Sequence, residues 1–319
     1  MIQHQCMSEK GEKHKGCYFC DSGRFLFSDY SIDRDSIRTE MIIDLRHQGW
    51  PGIPHGGVGM TSLVELADLL HDDTLRYPML ASFRFGGERL FIGDDVVMKM
   101  DRRGGTFTGA IEKKSGGSPY LTCSIESPAR EMYRSEMDGF RELIGKPVVS
   151  SSPLVMPNFS SRIVYNQEAQ AHHKYRTFKF KEIDNECVYM KCSITDSLEN
   201  VRGSDINRLH GDQLHPGALI TVLDETLGWA GFFAAWQGGV TVNISVYFLR
   251  PAMSGEKLFS VGACESSYGS FSRKIVTSSG GIFSRSGDAP EMIAYATGKW
   301  LTRPEYKEKM LKYMTTYSL

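Results

Sequence analysis

No part of this 319-residue sequence is apolar for long. The longest run, Leu227 to Trp236, is too short to span a bilayer and reads as a buried helix, so no membrane partner is expected. The first residues, with His4, Cys6, Lys10 and Lys13, contain no apolar core of the kind a secretory signal needs. An excess of one charge is missing too. Lys+Arg total 37 against 38 Asp+Glu, a formal net charge of −1, and no Lys/Arg block stands out. That excludes the electrostatic footprint of a nucleic-acid-binding protein. Cysteine is sparse: seven residues at irregular spacing argue against a disulfide framework and for a reducing, cytoplasmic home. There is no Gly-x-Ser-x-Gly elbow, which disfavours a serine esterase, and no glycine pattern for nucleotide phosphates.

What remains is an ordinary globular composition, 41% hydrophobic and 24% charged, long enough for roughly two domains of about 100–200 residues. The chain also says nearly the same thing twice. His55-Gly56-Gly57-Val58-Gly59-Met60-Thr61-Ser62-Leu63-Val64-Glu65 opens one apolar stretch, and His215-Pro216-Gly217-Ala218-Leu219-Ile220-Thr221-Val222-Leu223-Asp224-Glu225 opens another. Gly93 and Gly255 match at a similar offset, as do Gly116-Gly117 and Gly280-Gly281, which marks a tandem duplication of one unit.

Within each copy the pattern predicts strand, long helix, then a β-rich run. In the first, a strand over Met41 to Leu45 leads through a Gly/Pro-rich loop to a helix over about Gly57 to His71. Glycine-punctuated strands follow from Met79 to about Ile125, then an amphipathic helix over Ala129 to Ile144. The Ser/Pro-rich run Ser150 to Ser161 is the expected connection, giving units of 1–150 and 151–319. In the second, strands are expected over Tyr175 to Lys181 and Glu186 to Thr195, before a helix over Gly217 to Trp236. Further strands run over Val240 to Phe248, Leu258 to Ser266, Phe271 to Ser279 and Ile293 to Trp300. One buried helix across a curved antiparallel sheet fits this order, and the class is α+β.

The differences between the copies carry the chemistry. A glycine after the histidine, as at Gly56, offers a backbone N–H at a helix start and room for close approach, where an oxyanion would be stabilised. Pro216 has no N–H to offer. Asp224 supplies a carboxylate able to act as general base or nucleophile, whereas the matching Val64 supplies nothing. Gly56 with Asp224 makes one complete set. Pro216 with Val64 and Met79 makes an inert one.

His215-x-Gly217, Leu223-Asp224-Glu225, Gly239-Val240-Thr241-Val242-Asn243 and Phe248-Leu249-Arg250-Pro251 together resemble the hotdog-fold acyl-CoA thioesterases, closest to the phenylacetyl-CoA and 4-hydroxybenzoyl-CoA type. Gln48-Gly49-Trp50-Pro51-Gly52-Ile53-x-His55-Gly56-Gly57 resembles the active-site loop of that family, and Cys17-x-x-Cys20 an opening found in some members. The resemblance implies two tandem hotdog domains, each a long central helix wrapped by an antiparallel sheet, packed as an intrachain pseudo-dimer. It implies hydrolysis of an acyl-CoA, or an acyl carrier protein thioester, with no cofactor. Further pairing into homodimers is common among such proteins. Asp224 would activate water or attack the thioester, the Gly56 amide would hold the oxyanion, Thr241 would position water, and His55 would shape the loop. Gln48, Gly57, Arg250 and Glu65 would touch the substrate: Gln48 at the carbonyl, Arg250 at CoA phosphates, Glu65 as a substitute acid.

Each residue also has a plainer reading. Both histidines, with Glu65 and Glu225, serve equally as structural hydrogen-bonders; Thr241 as a strand residue; Asp224 and Arg250 as solvated side chains. Cys6, His14, Cys17 and Cys20 have ligand types that could hold zinc, but no second regularly spaced pair follows, and packed or reduced thiols are the default. Two other functions stay open. One is an enoyl-CoA hydratase or dehydratase working through His and Asp; the other is a protein that binds acyl thioesters without turnover.

Overall fold

A computed structural model describes residues 30–47, 49–50, 52–71, 75–130, 133–145, 154–155, 177–183, 187–193, 208–209, 213–253, 255–285 and 289–308. Cys6, His14, Cys17, Cys20 and most of the expected connection after Ser150 lie outside these residues. The first half contains β1 (Tyr30–Asp33), β2 (Ser36–Ile42), α1 (Gly56–Leu70), β3 (Met79–Phe85), β4 (Asp95–Arg103), β5 (Thr106–Lys113), β6 (Leu121–Glu126) and α2 (Arg134–Gly145). There follow β7 (Leu154–Val155), β8 (Thr177–Ile183), β9 (Cys187–Ser193), β10 (Arg208–Leu209), β11 (Gln213–Leu214), α3 (Pro216–Ala235), β12 (Gly239–Phe248), β13 (Leu258–Ser270), β14 (Arg273–Ser284) and β15 (Glu291–Thr302).

Thirteen strands form one antiparallel sheet in the order β1-β2-β4-β5-β6-β3-β12-β15-β14-β13-β9-β8-β7, while β10 and β11 pair apart from it. The two halves of this order have the same logic. The last strand of this sheet ahead of each long helix (β2, β9) lies outermost of its five. The strand after it (β3, β12) lies at the middle, where the halves join through the β3–β12 pairing. α1 packs on β2, β4, β5 and β6, and α3 on β9, β12, β13, β14 and β15.

Sheet alternation builds the core. Ile244, Val246 and Phe248 of β12 face the two helices, while Tyr247 faces the opposite side. There Met137 and Phe140 of α2, with Tyr133 just ahead of it, cover Tyr247, Phe283 and Tyr295. α3 has the length and apolarity of a membrane span, yet 83% of its most apolar window is buried inside the protein. Its apolar surface serves the core.

Where α1 and α3 cross, the contacts are reciprocal. Thr61 donates to the carbonyls of Gly57 (2.7 Å) and Gly217 (2.9 Å) and meets the Thr221 hydroxyl at 3.2 Å, a partner 160 positions away. A side chain at Gly57 would fall 2.5 Å from the Thr221 side chain, and one at Gly217 would fall 2.4 Å from that of Thr61. Only glycine lets the helices approach so closely. Ser82 and Ser245, 163 positions apart, share a 2.9 Å hydrogen bond where β3 meets β12.

Several element boundaries differ from the sequence expectations. The strand expected over Met41 to Leu45 is Ser36–Ile42, and Leu45–His47 is a 3-10 turn, because Asp44 N–H donates to His47 Nδ1 and folds the chain back. α2 begins at Arg134 rather than Ala129, whose N–H is bound by the Pro78 carbonyl. The β13–β14 hairpin is longer than its apolar pattern, running on to an exposed tip at Phe271.

Candidate active site

Two histidines organise the centre. His55 and His215 are the N-caps of α1 and α3, each with an extended backbone and with Nδ1 accepting the N–H two residues on, from Gly57 or Gly217, at 2.9 Å. An accepting Nδ1 carries no proton, so in each ring the proton sits on Nε2 and points at a carboxylate of the other helix. His55 Nε2 lies 3.0 Å from Glu225 Oε1, and His215 Nε2 lies 2.9 Å from Glu65 Oε2. Both nitrogens of each ring are therefore occupied, and both pairs tie one helix start to the middle of the other.

One of these crossings borders a cleft of about 610 Å³ between the halves. The first half contributes the loop around Trp50 and His55-Gly56, together with Phe85 and Tyr120. The second contributes Asp224, Glu225, Trp229, Thr241 and Trp300. The Trp50 indole N–H donates to the Gly239 carbonyl at 2.9 Å, which clips the loop of the first half onto a strand of the second. Trp50 also packs against Trp229 and Tyr306, with ring centroids 6.3 and 5.1 Å apart.

Asp224 lies in this cleft and is only 5% exposed. The Thr241 hydroxyl donates to its Oδ1 at 2.7 Å, and the Trp300 side chain also hydrogen-bonds to it. Burial pushes the carboxyl above the usual aspartate range; His55, Thr241 and Trp300 oppose that rise without cancelling it. Burial likewise raises Glu225, against its bond from His55. Tyr120 is raised too, first by burial and then by the charge of Asp224.

Gly56 faces the same carboxylate. A side chain there would come within 3.4 Å of Asp224 Oδ2 and 3.0 Å of the Phe85 ring. As the first residue of α1, it has an N–H that finds no acceptor among the described residues. Donor and acid thus come from different halves and meet across one space.

Other residues expected at the substrate lie elsewhere. Glu65 is fully buried against His215 and is not an acid of the cleft. Gly57 belongs to the helix crossing: its N–H is taken by His55 and its missing side chain makes room for Thr221. Arg250 is held outside the cleft by Glu256 (2.9 and 3.1 Å) and Glu291 (3.0 and 2.7 Å), a double fork that occupies its donors. The cations that do line the cleft are Arg89, Arg273 and Arg303. Gln48 lies outside the described residues. Trp300 was not singled out from sequence, and the signal that could have found it is its place on the strand next to Thr241. Val64 and Met79 are fully buried, and Pro216, at the start of the second long helix, has no N–H to give.

No family model and no curated protein matches the chain. Solved structures do. The TesB protein of Mycobacterium avium subspecies paratuberculosis is 14% identical at a TM-score of 0.52, over 86% of this chain and 94% of that one. A Novosphingobium aromaticivorans protein, provisionally described as a thioesterase, is 13% identical at 0.52, over 85% and 96%. The dehydratase domain from the CurJ module of the curacin polyketide synthase is 11% identical at 0.52, over 88% and 98%. The chain has the hotdog fold. At such identities the likeness concerns fold alone, and hotdog neighbours of two different activities leave the chemistry to be argued from the cleft.

Proposed function

We propose that the protein hydrolyses acyl thioesters, of CoA or of an acyl carrier protein, at one composite site between two tandem hotdog units. The units are 1–150 and 151–319, packed as an intrachain pseudo-dimer in which the first gives the loop and the second the acid. The reciprocal His–Glu, Thr–Thr and Ser–Ser contacts support this pairing. The observation that carries the reaction is the Gly56 backbone facing the buried, Thr241-bound carboxylate of Asp224.

Asp224 acts as general base. With its own proton donated to Asp224, the Thr241 hydroxyl has lone pairs left to accept from a water and place it. As that water attacks the thioester carbonyl carbon, its proton passes to Asp224. The carbonyl oxygen becomes an oxyanion held by the Gly56 N–H at the start of α1. The oxyanion then collapses and breaks the C–S bond, and the departing thiolate takes the proton from Asp224, leaving a carboxylic acid and a thiol. A carboxyl raised by burial suits both transfers, because its basicity moves toward neutral pH. In this reading Arg89, Arg273 and Arg303, which line the cleft, meet the phosphates of the CoA moiety. The second crossing, with Pro216 and Val64, is inert.

The CurJ neighbour favours one other reading, a dehydratase working through His and Asp. Against it, His55 donates to Glu225 and accepts from Gly57, so no ring nitrogen is left to take a proton. Free-thiol release measured over a panel of acyl-CoAs, beside enoyl-CoA hydration, separates the two. Asp224→Asn is expected to abolish thiol release with the fold retained. Full activity in that variant sinks the hydrolase reading, and binding without turnover in the native protein replaces it with a carrier role.

A further inference from the structure

Thr241 and Trp300 are directly paired residues of β12 and β15, so their side chains stand next to each other on one face of the sheet. The register of that pairing shifts between Thr241 and Asn243, an irregularity of the kind that re-aims a side chain. Both side chains converge on Asp224. The helix is shaped to receive the indole. Gly228 lies one turn beyond Asp224 on the same face of α3, and a side chain there would fall 3.0 Å from Trp300 Nε1. On the strand, a side chain at Gly298 would fall 2.7 Å from the far edge of the same ring. Trp300 is 1% exposed yet lines the cleft. Its ring is thus lodged between two glycines with its one polar atom at the acid.

We propose that Trp300 is a positioning residue: with Thr241 it clamps the Asp224 carboxylate and leaves the Oδ2 edge turned toward Gly56. The proposal rests on the hydrolase reading above. An indole N–H is a donor that cannot accept, so unlike a hydroxyl or amide it can bind the acid in one sense only. It therefore favours the ionised carboxylate that a base must be, and it competes with no proton that Thr241 or water delivers. Two donors in neighbouring strands also fix the plane of the carboxylate, which one donor leaves free to turn. The other titratable groups nearest Asp224 are His55 at the start of α1, Glu225 beside it on α3, and Tyr120 ahead of β6. Glu88, Arg89, Arg273, Arg303 and Glu305 line the same cleft.

The test replaces Trp300 in the full-length protein with benzothienylalanine, which keeps the bicyclic shape and puts a non-donating sulfur in place of the N–H; Trp300→Phe is its genetically encoded counterpart. Expected are a retained fold, with the melting temperature of the isostere at neutral pH lower by only a few degrees, and a loss of about tenfold in kcat with little change in KM, the size of one charge-assisted hydrogen bond. The acid limb of kcat/KM should move up by about one pH unit, because losing a donor to the ionised form makes Asp224 easier to protonate. Wild-type kcat with an unmoved acid limb in the isostere overturns the proposal. A second readout needs no turnover: the Trp300 indole N–H resonance should titrate with Asp224, and that titration should vanish in Asp224→Asn. An indole signal indifferent to Asp224→Asn also overturns it. Failure of the hydrolase reading is recognised separately, by thiol release that survives Asp224→Asn or is absent from the native protein.

Discussion

Asp224 shows what a buried acid costs the fold and gives the reaction. Its carboxyl is raised above the ordinary aspartate range chiefly by burial. A carboxyl whose folded pKa exceeds its unfolded one gives stability that is present below the unfolded pKa and lost as pH rises through the folded one. Asp224→Asn is therefore expected to gain stability over wild type on going from acidic to neutral pH, with the gain levelling off above the raised pKa. Thermal melts across pH measure it, and a gain largest in acid contradicts the assignment. Activity runs the other way. Thiol release should fall as pH drops through a midpoint higher than the ~3.9 of a free aspartate, because the base must be ionised. At Gly56 even a methyl group would press on Phe85 and reach contact with the Asp224 oxygen. Gly56→Ala should lower kcat/KM at least tenfold while shifting the melting temperature little, since the added atom points into the cleft rather than the core.

At the scale of elements, the helix crossing and its two His–Glu ties separate stability from catalysis. Gly217→Ala would set a side chain 2.8 Å from the Thr61 backbone as well as against its side chain, whereas Gly57→Ala would meet only side-chain atoms of Thr221. Both overpack the crossing, at roughly 1–3 kcal/mol, and Gly217→Ala should be the costlier because backbone cannot rotate away. Comparative thermal denaturation orders them. The histidines differ in the same spirit. The His215–Glu65 pair is fully buried, and removing the imidazole strands a buried carboxylate at about 3–5 kcal/mol. The His55–Glu225 pair borders the cleft, with 11% of each side chain exposed. His215→Ala should thus lose more stability but keep its turnover per folded molecule, and His55→Ala should lose turnover. Equal losses of turnover would refute a single working site.

For the whole molecule, the continuous sheet means that neither half is a finished object. β3 and β12 complete each other at the join, and both long helices share one core. Unfolding in denaturant is expected to be a single transition, with tryptophan fluorescence and far-ultraviolet circular dichroism coincident. Three of the four tryptophans, Trp50, Trp229 and Trp300, lie at the cleft between the halves, so the fluorescence is weighted toward the join. Two separated transitions would show that the halves fold independently.

The repeat of His-x-Gly with its apolar run, and the glycine punctuation around it, determined two buried helices and an α+β class, and marked Gly56 and Asp224 as the informative differences between the copies. Those features are local: a cap, a helical period and a missing N–H are written within a few residues. Thr241 could be named from the run it belongs to, but its bond to Asp224 depends on how β12 lies against α3. Trp50 stands in the loop motif, yet its bond to the Gly239 carbonyl, 189 positions away, was not legible, and neither were Trp300 and the three cleft arginines as site residues. Arg250 and Glu65 misled for the same reason. Whether a charged side chain meets substrate or another protein side chain is decided by partners 6, 41 or 150 positions away. The sequence by itself determined which groups could act. Only the tertiary structure, by placing two halves of one chain across a shared cleft, decided which of them face each other, because contact between distant residues follows from packing and register rather than from composition.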